Sequence, residues 1–294
     1  MIGVIEPQVS IRCDPTNPGQ FLACCGILEL TDRRRDGGAK GWFADGGRRF
    51  CLGADVEMDG AALHSLLAEL SSCAVSNTMN PDELRRRAEL SAMSGREIDA
   101  ARREDEKKAL ESLWRESPVI FGAPFDFTVD WHQDDRGRGS TFKTWAGQQS
   151  IIDIARGMQA AARATLVCDG AVEQVLMSTS RGLGLPFNFD SDLGTQAAPL
   201  DVGFSFDPLP TMSLAVRPML ELCALIGLQR FRPARVGKEN RYQYAQWKAP
   251  LRPSVASAMA SCSIDSLERS VFEFRLLYRT KYLKSFLSAK PVSR

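Results

Sequence analysis

Two segments of this chain are almost wholly apolar when drawn as helices, and they constrain the fold more than any other feature. The first begins at Asn17 and Pro18, residue types that are favoured at the N-cap and at the first helical position. Its apolar residues leave almost no polar face: Phe21, Leu22, Cys24, Cys25, Ile27, Leu28 and Leu30. The second, residues 219–228, is interrupted only by Glu221. A helix that is apolar on all sides has to be buried, so we expect both segments in a hydrophobic core.

Alternating segments predict strands beside these helices. The clearest alternation places four large apolar residues on one face: Phe125, Phe127, Val129 and Trp131. Residues 41–44 and 48–52 flank an Asp45-Gly46-Gly47 turn and predict a hairpin. Further strands are expected near residues 8–13, 172–177, 185–190, 200–206, 229–236, 241–247 and 272–278. Because strands and helices mix without a regular βαβ order, the pattern predicts an α+β fold with short antiparallel sheets.

The remaining helical patterns define the expected domain organisation. They cover residues 59–72, 146–163, 214–228 and 253–261, and a charged stretch, 80–116, predicts two helices broken near Ser94-Gly95. The charges of that stretch balance, so we expect a solvated helical arm rather than a binding face. We expect an α+β core domain that carries this arm over residues 1–207. A basic, aromatic-rich helix-plus-hairpin region is expected over residues 208–294.

The composition argues against several classes of protein. Eight cysteines are scattered through mostly apolar stretches without a Cys-x-x-Cys pair. This pattern is typical of free buried thiols in a reducing cytoplasm rather than of disulfides or a zinc site. No apolar run approaches the ~20 residues of a membrane span, and the first residues do not resemble a secretory signal. We therefore expect a cytoplasmic globular protein that has no membrane partner and no metal or cofactor.

The formal net charge of +1 hides a strong asymmetry along the chain. Residues 228–294 hold fourteen Lys and Arg against four Asp and Glu. Because the totals are 37 and 36, the upstream residues hold 23 cationic and 32 acidic side chains. Such a distribution points to a polyanionic partner for one face. The alternative is a solvated surface whose counter-charges lie on another part of the same molecule.

The strongest candidate for a polyanion site is the segment 229–248, which interleaves six cations with four aromatic residues and holds one acid. In extended strands, Arg230 and Arg232 would share a face, as would Tyr242 and Tyr244. Cations neutralise phosphates and rings accept stacked bases, at about 1–3 kcal/mol per base. The expected phosphate contacts are Arg230, Arg232, Arg235, Lys238 and Arg241, and the expected stacking residues are Tyr242, Tyr244 and Trp247. The alternative is an ordinary hairpin whose arginines pair with upstream acids.

A second candidate site lies where a glycine-rich loop leads into a helix at residues 143–149, KTWAGQQ. Free N–H groups at a helix N-terminus and nearby cations suit a phosphate, although the spacing of a nucleotide-hydrolysing loop is missing. The expected contacts are Arg136, Arg138, Lys143, Gln148 and Gln149. Alternatively, Trp145 is a core anchor beside ordinary helix-start residues. Arg181, in the polar loop 178–184, is a weaker phosphate candidate, because that loop can equally serve only to turn the chain.

Catalytic arrangements are poorly supported by the sequence. Cys24 or Cys25 with His132 as base would form a nucleophilic pair, but burial in an apolar helix suppresses the reactivity of a thiol. The other histidine, His64, lies in an amphipathic helix and is expected to be structural. Two acidic sets could hold Mg²⁺ as nuclease sites do: Asp130, Asp134 and Asp135, or Asp190 and Asp192. Internal ion pairs are the commoner role of such loop carboxylates, so we expect a protein without catalytic residues.

Three blocks of sequence, in this order, resemble a known family. They are residues 17–30 (NPGQFLACCGILEL), residues 145–149 (WAGQQ) and residues 221–233 (ELCALIGLQRFRP). Together they resemble the Csb-type proteins of type I-U (also called I-G) CRISPR systems, which are large-subunit-like components of the Cascade effector complex. The similarity covers most of the chain, from the first helix to the basic hairpin.

The resemblance implies a non-catalytic subunit of an RNA-guided DNA-surveillance complex. Large subunits of such complexes lie near the 5′ end of the guide RNA, contact the PAM duplex and recruit the helicase-nuclease, while base pairing reads the target. The implied partners are CRISPR RNA, target DNA, the backbone and repeat-processing Cascade subunits, and the helicase-nuclease. Large subunits usually end in a helical bundle, whereas the C-terminal region here is short and is expected to be partly stranded. An architectural subunit that binds only proteins and a metal-dependent nuclease are the alternatives.

Overall fold

A computed structural model describes residues 6–92, 100–133, 140–145, 149–166, 171–181, 186–194, 215–237, 239–265, 267–278 and 284–292. Its helices are α1 (Pro18–Arg34), α2 (Gly60–Ser72), α3 (Pro81–Ala92), α4 (Ala100–Glu116), α5 (Ile151–Thr165), α6 (Val172–Met177), α7 (Ser191–Gly194), α8 (Pro218–Arg230) and α9 (Pro253–Ala260). Its strands are β1 (Val9–Arg12), β2 (Lys40–Ala44), β3 (Arg49–Gly53), β4 (Val75–Asn77), β5 (Val119–Phe121), β6 (Phe127–Val129), β7 (Ser180–Arg181), β8 (Ala215–Val216), β9 (Ala234–Val236), β10 (Arg241–Trp247), β11 (Arg269–Tyr278), β12 (Lys284–Phe286) and β13 (Lys290–Pro291). The irregular order of helices and strands confirms the α+β class.

Within the described ranges, every strand pairing is antiparallel, as predicted. The first sheet has the order β1-β3-β2, and its β2–β3 hairpin turns through a short 3₁₀ segment at Asp45–Gly47. A second sheet has the order β4-β5-β6, and β7 pairs with β8. The C-terminal sheet has the order β12-β11-β10-β9, and β13 also pairs with β11.

The two apolar helices pack against each other in the centre of the molecule, which confirms their predicted burial. The side chain of Asn17 caps α1 by accepting hydrogen bonds from the N–H groups of Gly19 and Gln20. Every residue of α1 from Pro18 to Thr31 is buried, and so is every residue of α8 from Pro218 to Leu228. Burial of apolar area at about 25 cal/mol per Å² makes this helix pair a principal source of stability.

The C-terminal strands complete the same core. Phe21 of α1 stacks on Tyr244 of β10 with 4.3 Å between ring centroids. Phe43 of β2 packs edge-on against Trp247 at 5.2 Å. The N-terminal hairpin, α1 and the C-terminal sheet therefore share one hydrophobic cluster. The expected domain boundary at residues 207 and 208 lies outside the described residues.

Three predicted strands differ from the structure. Residues 172–177 form α6, because Val172, Val175 and Leu176 are buried at helical spacing. Residues 186–190 form no strand, since the N–H of Phe189 donates to the carboxylate of Glu221 instead of to a strand. Residues 229 and 230 belong to the end of α8, so the strand expected from 229 begins only at Ala234. The strand expected at 200–206 lies outside the described residues.

The charged arm consists of α3 and α4, as predicted, while the expected break at Ser94-Gly95 falls outside the described residues. Ion pairs join the two helices, with 2.8 Å between Arg86 Nε and Glu106 Oε1 and 3.0 Å between Arg87 Nε and Glu111 Oε1. Surface pairs of this kind are each worth about 0–1 kcal/mol, so they add modestly to the contact between the two helices.

Free thiols are present, as expected, at Cys13, Cys24, Cys25, Cys51, Cys73 and Cys223. Burial raises the pKa of the Cys24 and Cys25 thiols well above the usual range, which disfavours the reactive thiolate. Across the described ranges, no helix combines the length and the apolar character that a membrane crossing requires. In the same ranges, no cluster of three or more His, Cys, Asp or Glu side chains could hold a metal ion.

Candidate nucleic-acid interface

The three rings expected to stack on bases are buried in the protein core, so that part of the prediction is wrong. Tyr242 is 2% exposed, and Tyr244 and Trp247 are fully buried. Tyr242 and Tyr244 do share a face of β10, as the alternation predicts, but that face points into the core. The hydroxyl of Tyr244 donates to the carbonyl of Pro15 at 2.6 Å, and the indole N–H of Trp247 donates to the carbonyl of Gly41 at 2.6 Å. These rings therefore stabilise the fold and cannot accept a base.

Two of the five expected phosphate contacts are engaged by carboxylates of the protein itself. Arg230 lies at the end of α8, where its Nε is 2.6 Å from an oxygen of the buried Glu29. Arg241 lies 3.4 Å from Glu239 and 3.4 Å from Glu273. For Arg230 and Arg241, the structure favours the alternative in which hairpin cations pair with acids of the same molecule.

Two further cations of the same segment face solvent. Arg232 is exposed between α8 and β9 and forms no ion pair with the described acids, and Arg235 is exposed on β9, opposite Tyr242 of β10. Because β9 lies at the edge of the C-terminal sheet, this edge can approach a polyanion. Lys238 lies outside the described residues.

The second predicted site gains a cation from the far end of the chain. The N–H of Lys284 donates to the carbonyl of Thr144 at 3.0 Å, and its Nζ donates to the carbonyl of Thr141 at 3.1 Å. These bonds hold β12 beside the segment that carries Lys143. Lys143 Nζ lies 5.7 Å from the ring centroid of Trp145. We call Lys143 and Lys284 the lysine pair.

The charges of the lysine pair are poorly compensated. Burial lowers the pKa of Lys143, against an opposing effect of the Glu116 carboxylate. Burial also lowers the pKa of Lys284, and the positive charge of Lys143 lowers it further. No carboxylate among the residues that the structure describes forms a salt bridge with either ammonium group. Two like charges that are half-buried and unpaired attract an anion.

The other predicted residues of the second and third sites lie as follows. Gln149 is half-buried just before α5, and Arg181 is exposed on β7. Trp145 is buried between Trp131 and Phe187, at centroid distances of 5.9 and 5.6 Å, as the core-anchor alternative expects. Arg136, Arg138 and Gln148 lie outside the described residues.

The carboxylates considered for a nuclease site are held by other side chains. Asp130 Oδ1 accepts a hydrogen bond from the Gln229 amide at 2.8 Å. Asp190 and Asp192 both pair with Arg217, at 2.9 and 3.1 Å. Arg217 thus neutralises the second acidic set as an internal ion pair. Asp134 and Asp135 lie outside the described residues.

The proposed histidine base is buried as well. Burial lowers the pKa of His132 to about 4, and the charge of Lys143 adds to this effect. Its imidazole is therefore neutral at pH 7 and packs at 6.0 Å from the ring of Trp145. His132 therefore packs as a neutral ring near Lys143.

Sequence reasoning missed Lys284, although it is one of the fourteen cations of the C-terminal region. No spacing rule singles it out, because its partner Thr141 is 143 residues away in the chain. The general excess of positive charge was the only available signal.

In comparisons with known proteins, neither a protein-family model nor a curated protein sequence matches this chain.

Proposed function

We propose that this protein is a non-catalytic, nucleic-acid-binding subunit of an RNA-guided CRISPR surveillance complex of type I-U (I-G). The observation that carries nucleic-acid contact is the lysine pair. Lys143, from a loop expected to bind phosphate, lies beside Lys284, from the basic C-terminal region, and the described residues offer neither charge a salt bridge. A phosphodiester that approached both ammonium groups would offset their mutual repulsion and their partial loss of hydration.

The exposed edge of the C-terminal sheet supports the same proposal. Arg232 and Arg235 face solvent there, and the buried rings of β10 anchor the neighbouring strand in the core. Contacts of this composition recognise the sugar-phosphate backbone and carry little sequence information. A subunit of an RNA-guided complex needs no more, because base pairing between guide and target reads the sequence.

The proposed partners are CRISPR RNA near its 5′ end, target DNA beside the PAM, the backbone and repeat-processing Cascade subunits, and the helicase-nuclease. This assignment to a complex rests on the resemblance of residues 17–30, 145–149 and 221–233 to Csb-type proteins. The proposed location of the protein in the cell is the cytoplasm.

An architectural role without nucleic-acid contact is the second candidate. It is favoured by the ion pairs of Arg230 with Glu29 and of Arg241 with Glu239 and Glu273, which compensate part of the basic hairpin internally. In that role, Arg232 and Arg235 would contact an acidic surface of a neighbouring protein.

The first experiment tests nucleic-acid contact. Labelled 20-nucleotide RNA, single-stranded DNA and duplex DNA are titrated with the full-length protein, and with the complex in which it co-purifies, at several salt concentrations. The Lys143→Gln, Lys284→Gln double variant is expected to bind more weakly and to flatten the plot of log affinity against log salt by about 0.7–0.9 for each lost phosphate contact. The matched control is Lys107→Gln, Lys108→Gln on α4, which removes the same charge from the arm.

The outcomes separate the two roles. If the double variant and the arm control bind with the same affinity and salt slope, the lysine pair does not contact nucleic acid. If Arg232→Gln, Arg235→Gln lowers co-purification of partner proteins while affinity for nucleic acid is unchanged, the architectural role is correct. Membership of the complex is tested separately by sequencing the RNA that co-purifies with the tagged protein, which should be derived from CRISPR repeats.

A further inference from the structure

A groove of about 600 Å³ lies at one end of the first sheet, and neither residue of the lysine pair lines it. Three arginines line it, namely Arg12, Arg48 and Arg49. Its apolar wall includes Pro15 and Met177. We propose that this arginine groove binds a nucleotide, with its phosphate on the guanidinium groups and its base or sugar against the apolar wall.

The strand pairing of the first sheet brings the arginines together. Arg12 of β1 and Arg49 of β3 are directly opposite each other in the antiparallel pairing. Like charges at opposed positions of a sheet destabilise it. Arg48 adjoins the pair, because its carbonyl accepts a hydrogen bond from the N–H of Cys13 at 2.9 Å. Three guanidinium groups at one groove create a positive potential there, which attracts anions.

Two acids, Asp14 and Asp45, also line the groove, but they leave two of the arginines without a salt bridge. Asp45 is engaged by Arg49, with 2.9 Å between the carboxylate oxygen and Nε. Asp14 accepts hydrogen bonds of 2.8 Å from both the N–H and the hydroxyl of Thr16. Glu173 of α6 accepts the backbone N–H of Arg12 at 2.8 Å, not its guanidinium group. Among the described residues, no carboxylate forms a salt bridge with the side chain of Arg12 or Arg48.

Buried residues of β10 hold the groove in shape from beneath. The hydroxyl of Tyr244 fixes the carbonyl of Pro15 at 2.6 Å, and the amide of Gln246 donates to the carbonyl of Gly47 at 3.3 Å. Gly47 has a φ of 88°, and a Cβ there would overlap the side chain of Gln246. Position 47 therefore requires glycine. The close contact of Gly47 with Gln246 fixes the backbone of the adjacent Arg48. These contacts fix the backbone that carries the arginines, which lowers part of the entropic cost of binding.

The chemistry of the walls identifies the ligand class. Planar guanidinium groups bind phosphate oxygens in a bidentate manner. Small-molecule sites usually occupy about 300–1,000 Å³ and combine a few polar groups with an apolar lining. Inorganic phosphate would use the arginines alone, whereas a nucleotide would also cover Pro15 and Met177. A nucleotide can come from solution or from a strand, and both present the same phosphate.

Calorimetric titration of the full-length protein with AMP, adenosine and inorganic phosphate tests the assignment. We expect AMP to bind at least tenfold more tightly than either fragment. We expect Arg12→Gln, Arg48→Gln to weaken AMP binding at least tenfold without changing the melting temperature by more than a few degrees. The Lys143→Gln, Lys284→Gln variant should bind AMP normally, so this result does not depend on the proposed function.

The probes also identify the source of the nucleotide. A trinucleotide without terminal phosphates that binds more tightly than AMP indicates a strand, and the opposite order indicates a free nucleotide. Equal affinity for AMP and inorganic phosphate overturns the nucleotide assignment. Undetectable AMP binding at millimolar concentration, or unchanged binding by the Arg12→Gln, Arg48→Gln variant, overturns the site.

Discussion

Gly26 of α1 and Gly227 of α8 lie directly against each other where the two central helices cross. A Cβ added at either residue would lie 3.1 Å from the backbone nitrogen of the other, and closer still to the carbonyl oxygens of Cys223 and Leu22. The contact atoms are all backbone, so no side-chain movement can make room. The absence of a side chain at both positions is what allows the two apolar helices to approach so closely.

Replacement of Gly26 or Gly227 by alanine is therefore expected to lower the free energy of unfolding by about 1–3 kcal/mol or more, because the helices must separate. Urea unfolding measures the effect. Gly157→Ala is the matched control: this glycine lies within α5 with open space around the Cβ position. There, alanine should stabilise the protein by up to about 1 kcal/mol. Equal effects at the three sites would contradict the close packing.

Arg230→Gln is expected to lower the free energy of unfolding by about 1–3 kcal/mol, because it leaves the buried carboxylate of Glu29 with Arg33 as its remaining ion-pair partner. The double variant Glu29→Gln, Arg230→Gln should recover most of the loss, which a double-mutant cycle by chemical unfolding measures. Arg232→Gln, which has an exposed side chain, is the control and should change stability by less than about 0.5 kcal/mol. No recovery in the double variant would show that the two residues act independently.

Stability should fall as the pH rises from about 5 to 8, because burial raises the pKa of Glu221 to about 8. The hydrogen bonds that its carboxylate accepts from the N–H groups of Phe189 and Asp190 act in the opposite direction and lower this pKa. The unfolded chain releases this proton near pH 4.3, so between the two pKa values only the folded state holds it. The expected loss is on the order of a few kcal/mol and levels off above pH 8.

Glu221→Gln keeps an oxygen acceptor for both N–H groups and cannot ionise. Urea unfolding between pH 5 and 9 should therefore show a flatter profile for this variant than for the wild-type protein. Parallel profiles would mean that other groups cause the pH dependence.

Lys143→Met is expected to stabilise the ligand-free protein by up to about 1 kcal/mol, because it removes a half-buried charge that repels Lys284. Thermal unfolding at low salt measures the gain. Lys108→Met on α4 removes an exposed lysine that pairs with Glu104 at 3.8 Å, and should change stability by less than about 0.5 kcal/mol. A destabilised Lys143→Met variant would mean that the charge of Lys143 is compensated in the native protein.

The parts of the fold that follow from local pattern were predictable. Residues of α1 and α8 are apolar around the whole helix, and the Asp45-Gly46-Gly47 turn joins two apolar runs, so these elements follow from periodicity and turn chemistry. The helix α6 was mistaken for a strand, because in six residues the spacing of Val172, Val175 and Leu176 was the only sign of a helical period.

The parts of the site that depend on tertiary packing were not predictable. Alternation along β10 places Tyr242 and Tyr244 on one face, but it does not say whether that face meets solvent or α1. The rings were assigned to solvent because cations surround them in sequence. Likewise, Lys284 joins Lys143 only because β12 lies beside residues 141–144. The spacing of residues in a single sequence indicates neither the burial of these rings nor the proximity of the two lysines.

During synthesis, α1 leaves the ribosome well before α8, the helix that packs against it. Pro18, the first residue of α1, is translated 200 residues before Pro218, the first residue of α8. At about 5–20 residues per second, the nascent helix spends roughly 10–40 s without the neighbour that covers it. The native core can therefore form only late in synthesis. Until then, α1 is available to a chaperone that binds apolar helices.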